Sequence, residues 1–86
     1  GMVYTPEETR ALAEVLHRHP QVLVISDEIY SLLSYGTPVL SMAAIDGMWD
    51  RTLTINGVSK AFAMTGWRIG FSAGPDWMMK LCTKLQ

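Results

Sequence analysis

Lys60 has the most chemically suggestive surroundings in this sequence. The stretch Ser59-Lys60-Ala61-Phe62-Ala63-Met64-Thr65-Gly66-Trp67-Arg68-Ile69-Gly70 embeds one amine among apolar and small residues. Desolvation there would lower the lysine pKa toward that of a usable nucleophile. The Ser59 hydroxyl and the Arg68 guanidinium add two groups suited to a phosphate. Taken singly a lysine reads as a solvated surface charge, so the neighbourhood carries the interest. A second constellation, Ser26-Asp27-Glu28-Ile29-Tyr30, follows the apolar run Val22-Leu23-Val24-Ile25. Open α/β sheets bind ligands outside the carboxyl ends of their strands, which is where Asp27 falls. The pair Asp27-Glu28 also resembles the Mg²⁺-holding strand end of a nucleotide hydrolase. That chemistry needs a Gly-rich loop ending in Gly-Lys-Ser/Thr, and the sequence has none. By itself Asp27 reads as a helix cap or a solvated loop acid.

The elements that must position these residues follow from local signals. Thr5-Pro6-Glu7-Glu8 predicts a helix start: Thr5 caps, Pro6 suits the first helical position, and Glu8 closes a capping box. Leu12, Val15 and Leu16 then share a face, and Pro20 ends the helix. Residues 21–26 predict a strand covered on both faces, as parallel strands are. Residues 31–50 are mixed, with turns at Gly36-Thr37-Pro38 and Asp46-Gly47 and a short helical possibility at 40–45. Residues 52–57 alternate as a strand, Gly57-Val58-Ser59-Lys60 leaves it as a loop, and residues 68–73 form a third strand. From Asp76 a helix is expected, with Trp77, Leu81 and Leu85 on one face and Lys80 and Lys84 on another. The fold class is therefore α/β, with three neighbouring strands and flanking helices.

Composition excludes other classes. The chain has 86 residues, 7 basic against 8 acidic, and a net charge of −1. No run of basic residues offers a field for nucleic acid or an anionic membrane. The single Cys82 can form neither an internal disulfide nor a thiolate metal site, and it favours a reducing compartment. No apolar stretch approaches the ~20 residues of a membrane span, so a cytoplasmic chain is expected. His17 and His19 are expected to be solvated, Cys82 to be a small buried hydrophobe, and the six Met to fill gaps. Trp67 and Trp77 are expected in the core or in packing between domains.

The segment from Asn56 to Gly70, with Ser26-Asp27-Glu28-Ile29-Tyr30 upstream at a fitting distance, closely resembles the pyridoxal-phosphate-dependent aminotransferases of fold type I. Within them it is most similar to the class I aspartate aminotransferase branch of bacteria and plant plastids, which includes prephenate-using members. Gly1-Met2-Val3-Tyr4-Thr5-Pro6 resembles the continuation of the family's Asn-Pro-Thr-Gly turn, so the likeness runs the length of the chain.

The resemblance implies roles. Lys60 would attach the pyridoxal 5′-phosphate and move the proton at the substrate α-carbon, and Asp27 would pair with the pyridine nitrogen. Tyr30 would donate to the ring's 3-oxygen, while Arg68 and the Ser59 hydroxyl would hold the phosphate. It implies the central part of a three-layer αβα large domain, residues 1–86 being one partial domain with two parallel strands and one antiparallel. It implies amino-acid and 2-oxo-acid substrates, a homodimeric parent enzyme, and a plastid location as the alternative to the cytoplasm should the source be a plant. Other branches carry a second phosphate-binding Ser where this chain has Gly57. Absent are the family's Gly-rich phosphate loop, ring-stacking aromatic, turn Asn and carboxylate-binding Arg. The isolated chain is therefore expected to be inactive and to associate with itself. Two other readings remain: another fold type I activity such as a carbon–sulfur lyase, and a non-catalytic remnant that keeps the packing alone.

Overall fold

Thr5 sets the start of the first helix. In the computed structural model, which describes residues 2–86, its hydroxyl accepts from the Glu8 N–H at 3.1 Å and Glu8 Oε2 accepts from the Thr5 N–H at 2.8 Å. This reciprocal pair satisfies two donors that the first turn leaves unbonded. Helix α1 runs Pro6–His17. It ends before Pro20, and Arg51 closes its exit: Nη1 donates to Leu16 O at 2.9 Å, Nη2 to His19 O at 2.6 Å, and Nε to Val22 O at 2.9 Å. Nothing in the sequence pattern marks Arg51 for this task.

Three strands follow, β1 (Val24–Asp27), β2 (Thr52–Gly57) and β3 (Gly70–Ala73). They lie in that order, with β1 parallel to β2 from Val24↔Thr52 to Asp27↔Ile55, and β3 antiparallel to β2 from Thr54↔Ala73 to Gly57↔Gly70. The expected topology is therefore present. Three boundaries move: β1 spans Val24–Asp27 rather than 21–26, and β3 starts at Gly70 rather than 68. The crossover between the parallel strands contains only single 3-10 turns, at Ser31–Leu33, Met42–Ala44 and Trp49–Arg51. Gly36 (φ +85°) and Gly47 (φ +78°) turn the chain within it, in a conformation glycine reaches without strain. Helix α2 spans Asp76–Leu85.

The core sits on one side of the sheet. Ala13, Met42 and Met48 are buried, and Leu16, Val24 and Ile45 pack against them. Two of the methionines thus form the core rather than fill gaps in it. Alternation puts Val24, Ser26, Thr52 and Thr54 on the face toward this core, and Ile25, Asp27, Leu53 and Ile55 on the other. Ile25 is 71% exposed, so β1 is covered on one face only within this chain, not on both.

Both helices also leave apolar side chains open. Leu12 and Val15 are exposed, and α1 buries Thr9 and Ala13 instead. On α2, Met78 is buried while Trp77, Leu81 and Leu85 are exposed, and Cys82 is only half-buried. Trp67 is exposed as well. His17 is exposed but tied to Asp46 O at 3.0 Å. The chain is a slab of 40 × 38 × 16 Å with a radius of gyration of 13.9 Å, against about 12 Å for a compact domain of this length. Its accessible surface is 6363 Å², roughly 1,300 Å² more than size scaling gives a folded monomer. Among the large hydrophobic side chains left exposed are Ile25, Tyr35, Phe62, Phe71, Trp67 and Leu85. No helix among the described residues is long and apolar enough to cross a membrane.

Candidate active site

The carboxyl end of β1 presents two acids to different surroundings. The Glu28 N–H donates to Ile55 O at 2.8 Å, carrying the parallel ladder one residue past β1. The Glu28 carboxylate then accepts from Ser26 Oγ at 3.0 Å and Ser41 Oγ at 2.7 Å. Asp27, on the open face, accepts from the Ile29 N–H at 3.2 Å, closing a turn. The Ser31 N–H donates to Glu28 O at 2.9 Å, so Tyr30 is carried on the same turn. Both serines donate to the same Glu28 oxygen, Oε1, which ties this carboxylate toward Ser26 and Ser41 while Asp27 faces the open side. Among the described residues no group of three or more His, Cys, Asp or Glu could hold a metal ion.

The Lys60 segment hangs between β2 and β3. Val58 N–H donates to Ile69 O at 3.3 Å, extending that ladder past the strand ends. Phe62 then bonds back to Val58 O at 3.3 Å, Ala63 to Lys60 O at 3.3 Å and Met64 to Ser59 O at 3.1 Å, coiling the segment on itself. Two non-glycine residues adopt the left-handed conformation, Ala63 (φ 52°) and Arg68 (φ 56°). Each such residue costs on the order of 1 kcal/mol, and outliers of this kind gather at functional sites. Gly57 is required by space: a Cβ there would lie 2.9 Å from Ile69 O, 3.1 Å from Ile29 Cδ1 and 3.3 Å from Gly70 Cα. The serine that some branches carry at this position does not fit this backbone.

Three segments meet at one hollow. Asp27 from the end of β1, Ile55 and Asn56 from β2, Ser59 from the loop, and Arg68 ahead of β3 line it together. Asp27 also borders a second, more apolar groove, which contains Tyr30 and Glu28. Lys60 lines neither; its Nζ lies 5.9 Å from the centroid of the Tyr30 ring, within cation–π range. Asp27, Ser59 and Arg68 are thus gathered at one hollow, and Tyr30 and Lys60 form a pair beside it. Lys60 is exposed, so the desolvation expected from its apolar neighbours is not supplied within this chain. Arg68 is exposed too, with Nη1 on Thr65 O at 3.3 Å. Asn56 was not singled out as a site residue by the sequence; its Nδ2 reaches Ser31 Oγ at 3.4 Å, linking the two site segments. A polar amide just before the glycine that ends β2 is the signal that could have found it.

Comparison with known proteins gives the family. The family described as "Aminotransferase class I and II" matches residues 1–86. Among curated proteins, the chain is 53% identical over 87 residues to the bifunctional aspartate aminotransferase and glutamate/aspartate-prephenate aminotransferase of Petunia hybrida, covering all of this chain and 18% of that protein. It is 48% identical over 91 residues to a probable aspartate/prephenate aminotransferase of Rhizobium leguminosarum bv. phaseoli, covering 22% of it. The chain therefore spans about a fifth of the length of these relatives. Among solved structures, an aromatic aminotransferase from Pyrococcus horikoshii superposes with a TM-score of 0.90 at 43% identity, over 96% of this chain and 22% of that one. The aspartate aminotransferase from Rhizobium meliloti gives 0.85 at 47% identity, over 90% and 20%. The chain belongs to the class I and II aminotransferase family, with the mixed sheet and flanking helices of its fold type I.

Proposed function

We propose that residues 1–86 are the central part of the large domain of a pyridoxal-phosphate-dependent aminotransferase of aspartate type, acting between amino acids and 2-oxo acids. The observation that carries this reading is the meeting of Asp27, Ser59 and Arg68, from three separate segments, at one hollow. The donor set fits the cofactor: a carboxylate for a cationic ring nitrogen, and a guanidinium with a hydroxyl for a phosphate. When bound, pyridoxal phosphate supplies an aldehyde for covalent attachment and a ring that withdraws electrons.

The residues divide the work by their chemistry. Asp27 holds a proton on the ring nitrogen, and the Asp27 to Ile29 hydrogen bond keeps its carboxylate aimed from a fixed turn. Arg68 offers two parallel N–H donors to phosphate oxygens, and Ser59 adds a third. Tyr30 directs a phenol O–H from the same turn as Asp27. Lys60, whose Nζ lies beside the Tyr30 ring, would provide the attaching amine, and the same amine would move a proton to and from the substrate α-carbon. We assign the exposed open face of the sheet to the rest of the large domain and to a second subunit of a homodimer, supported by the roughly 1,300 Å² of surplus surface. Catalysis in a reducing compartment suits the lone half-buried thiol of Cys82.

Steady turnover of aspartate with 2-oxoglutarate by the full gene product tests the function. It should be abolished by Lys60→Ala. Pyruvate release from a sulfur amino acid without any 2-oxo-acid acceptor would favour the carbon–sulfur lyase, and no turnover of either kind would favour the non-catalytic remnant.

A further inference from the structure

We infer that Glu28 is a positioning residue for Asp27, latching the site-bearing turn to the core through Ser26 and Ser41. The latch rests on geometry at three points. The Glu28 N–H is fixed to Ile55 O at 2.8 Å, so its backbone is held in the sheet. Glu28 Oε1 accepts from Ser41 Oγ at 2.7 Å and from Ser26 Oγ at 3.0 Å. Ser41 immediately precedes the 3-10 turn Met42–Ala44, whose Met42 is part of the buried core. One carboxylate oxygen therefore joins a strand residue, a crossover residue and the turn that carries the site.

Neighbouring residues at a strand end point to opposite faces, so fixing Glu28 toward the core side fixes Asp27 toward the open side. The Asp27 carboxylate has a single hydrogen bond of its own among the described residues, from the Ile29 N–H in the next turn. Releasing the Glu28 carboxylate leaves the turn held by its backbone bonds alone, Glu28 N–H to Ile55 O and Ser31 N–H to Glu28 O, without the side-chain tie to Ser26 and Ser41 that fixes the turn against the core. A hydrogen bond to a charged acceptor is stronger than a neutral one, which makes a carboxylate a more effective latch for two hydroxyls than an amide. The two acids of the Asp27-Glu28 motif thus have separate duties, one toward the ligand and one toward the core. What Asp27 faces rests on the aminotransferase reading; that Glu28 aims it does not.

The experiment uses the full gene product without cofactor, so that its failure is separate from failure of the assigned function. Amide hydrogen exchange and ¹H–¹⁵N shifts are recorded for the native chain and for Glu28→Ala, Ser41→Ala and Glu28→Gln. Ile29 N–H is the reporter, because its hydrogen bond to Asp27 Oδ1 exists only while Asp27 is aimed. The result expected for Glu28→Ala is exchange at Ile29 about tenfold faster, the loss of roughly one hydrogen bond, with the amide shifts of Thr52–Leu53 and Met48 unchanged. Ser41→Ala should move Ile29 in the same direction by less, and Glu28→Gln, which keeps an acceptor oxygen, should restore most of the protection. Should Glu28→Ala lose its dispersed spectrum, Ser41→Ala decides alone. An unchanged Ile29 amide in a folded Glu28→Ala or Ser41→Ala chain overturns the proposal, and so does equal loss at Ile29 and Met48, which would make the role merely structural.

Discussion

The two faces of the sheet behave as different kinds of surface. On the core side, Val24 packs against Ala13, Met42 and Met48, and Thr52 in the same register is fully buried. On the other side, Ile25, Asp27 and Ile55 are exposed, and the hollow that gathers Asp27, Ser59 and Arg68 lies there. The chain covers the side of the sheet where its core lies and leaves open the side where Asp27, Ser59 and Arg68 line a hollow. A site face must stay open to a ligand, so the stabilising burial is concentrated on the other side.

The largest effect that separates the faces is expected at Met48, which is 0% exposed. Met48→Ala should cost about 2–5 kcal/mol, because the cavity adds to the lost transfer energy. For a chain whose total stability is about 4–13 kcal/mol by length alone, urea denaturation should show a large fall in the midpoint. Gly57 tests the seam between faces. Gly57→Ser should cost about 1–3 kcal/mol, since the new side chain meets Ile69 O and Ile29 before it can reach any ligand. A melting temperature equal to that of the native chain would show that the β2–β3 seam yields more easily than its contacts suggest.

Thr52 sharpens the comparison with the opposite sign. Its Oγ1 is buried without a hydrogen-bond partner, so Thr52→Val should stabilise the chain by about 1 kcal/mol. The smallest effect belongs to the open face. Ile25→Ser should change stability by less than about 0.5 kcal/mol in the isolated chain, because little burial is lost. The same substitution should lower self-association seen by light scattering, since exposed apolar surface beside an open strand edge recruits other chains.

Much of this molecule is legible in its sequence, and the rest fails for one physical reason. Thr5 and Glu8 announce the helix start through local hydrogen bonds, and the alternation of residues 52–57 announces β2, because both signals are complete within a few residues. The order and direction of the strands follow from the family resemblance. Leu12 and Val15, and Trp77, Leu81 and Leu85, share helix faces as their spacing predicts and are exposed; an apolar stripe says which residues share a face, not what covers it. The run from Val22 to Ile25 places a strand but not its first residue, since Val22 O and His19 O are taken by Arg51 rather than by the sheet. Within the site, residue types identified Asp27, Ser59 and Arg68, whereas Asn56 and the latch on Glu28 depend on Ser31 and Ser41, brought near only by the fold.

The central claim is that the hollow gathering Asp27, Ser59 and Arg68 is a cofactor site with Lys60 beside it. Pyridoxal phosphate, added in limiting amount to the 86-residue chain and fixed with borohydride, tests it most directly when the labelled lysines are mapped by mass spectrometry. The account predicts label concentrated on Lys60 rather than on the exposed Lys80 and Lys84 of α2, reduced by Arg68→Ala and by competing inorganic phosphate. Label spread evenly over the three lysines, and indifferent to Arg68→Ala, would contradict it.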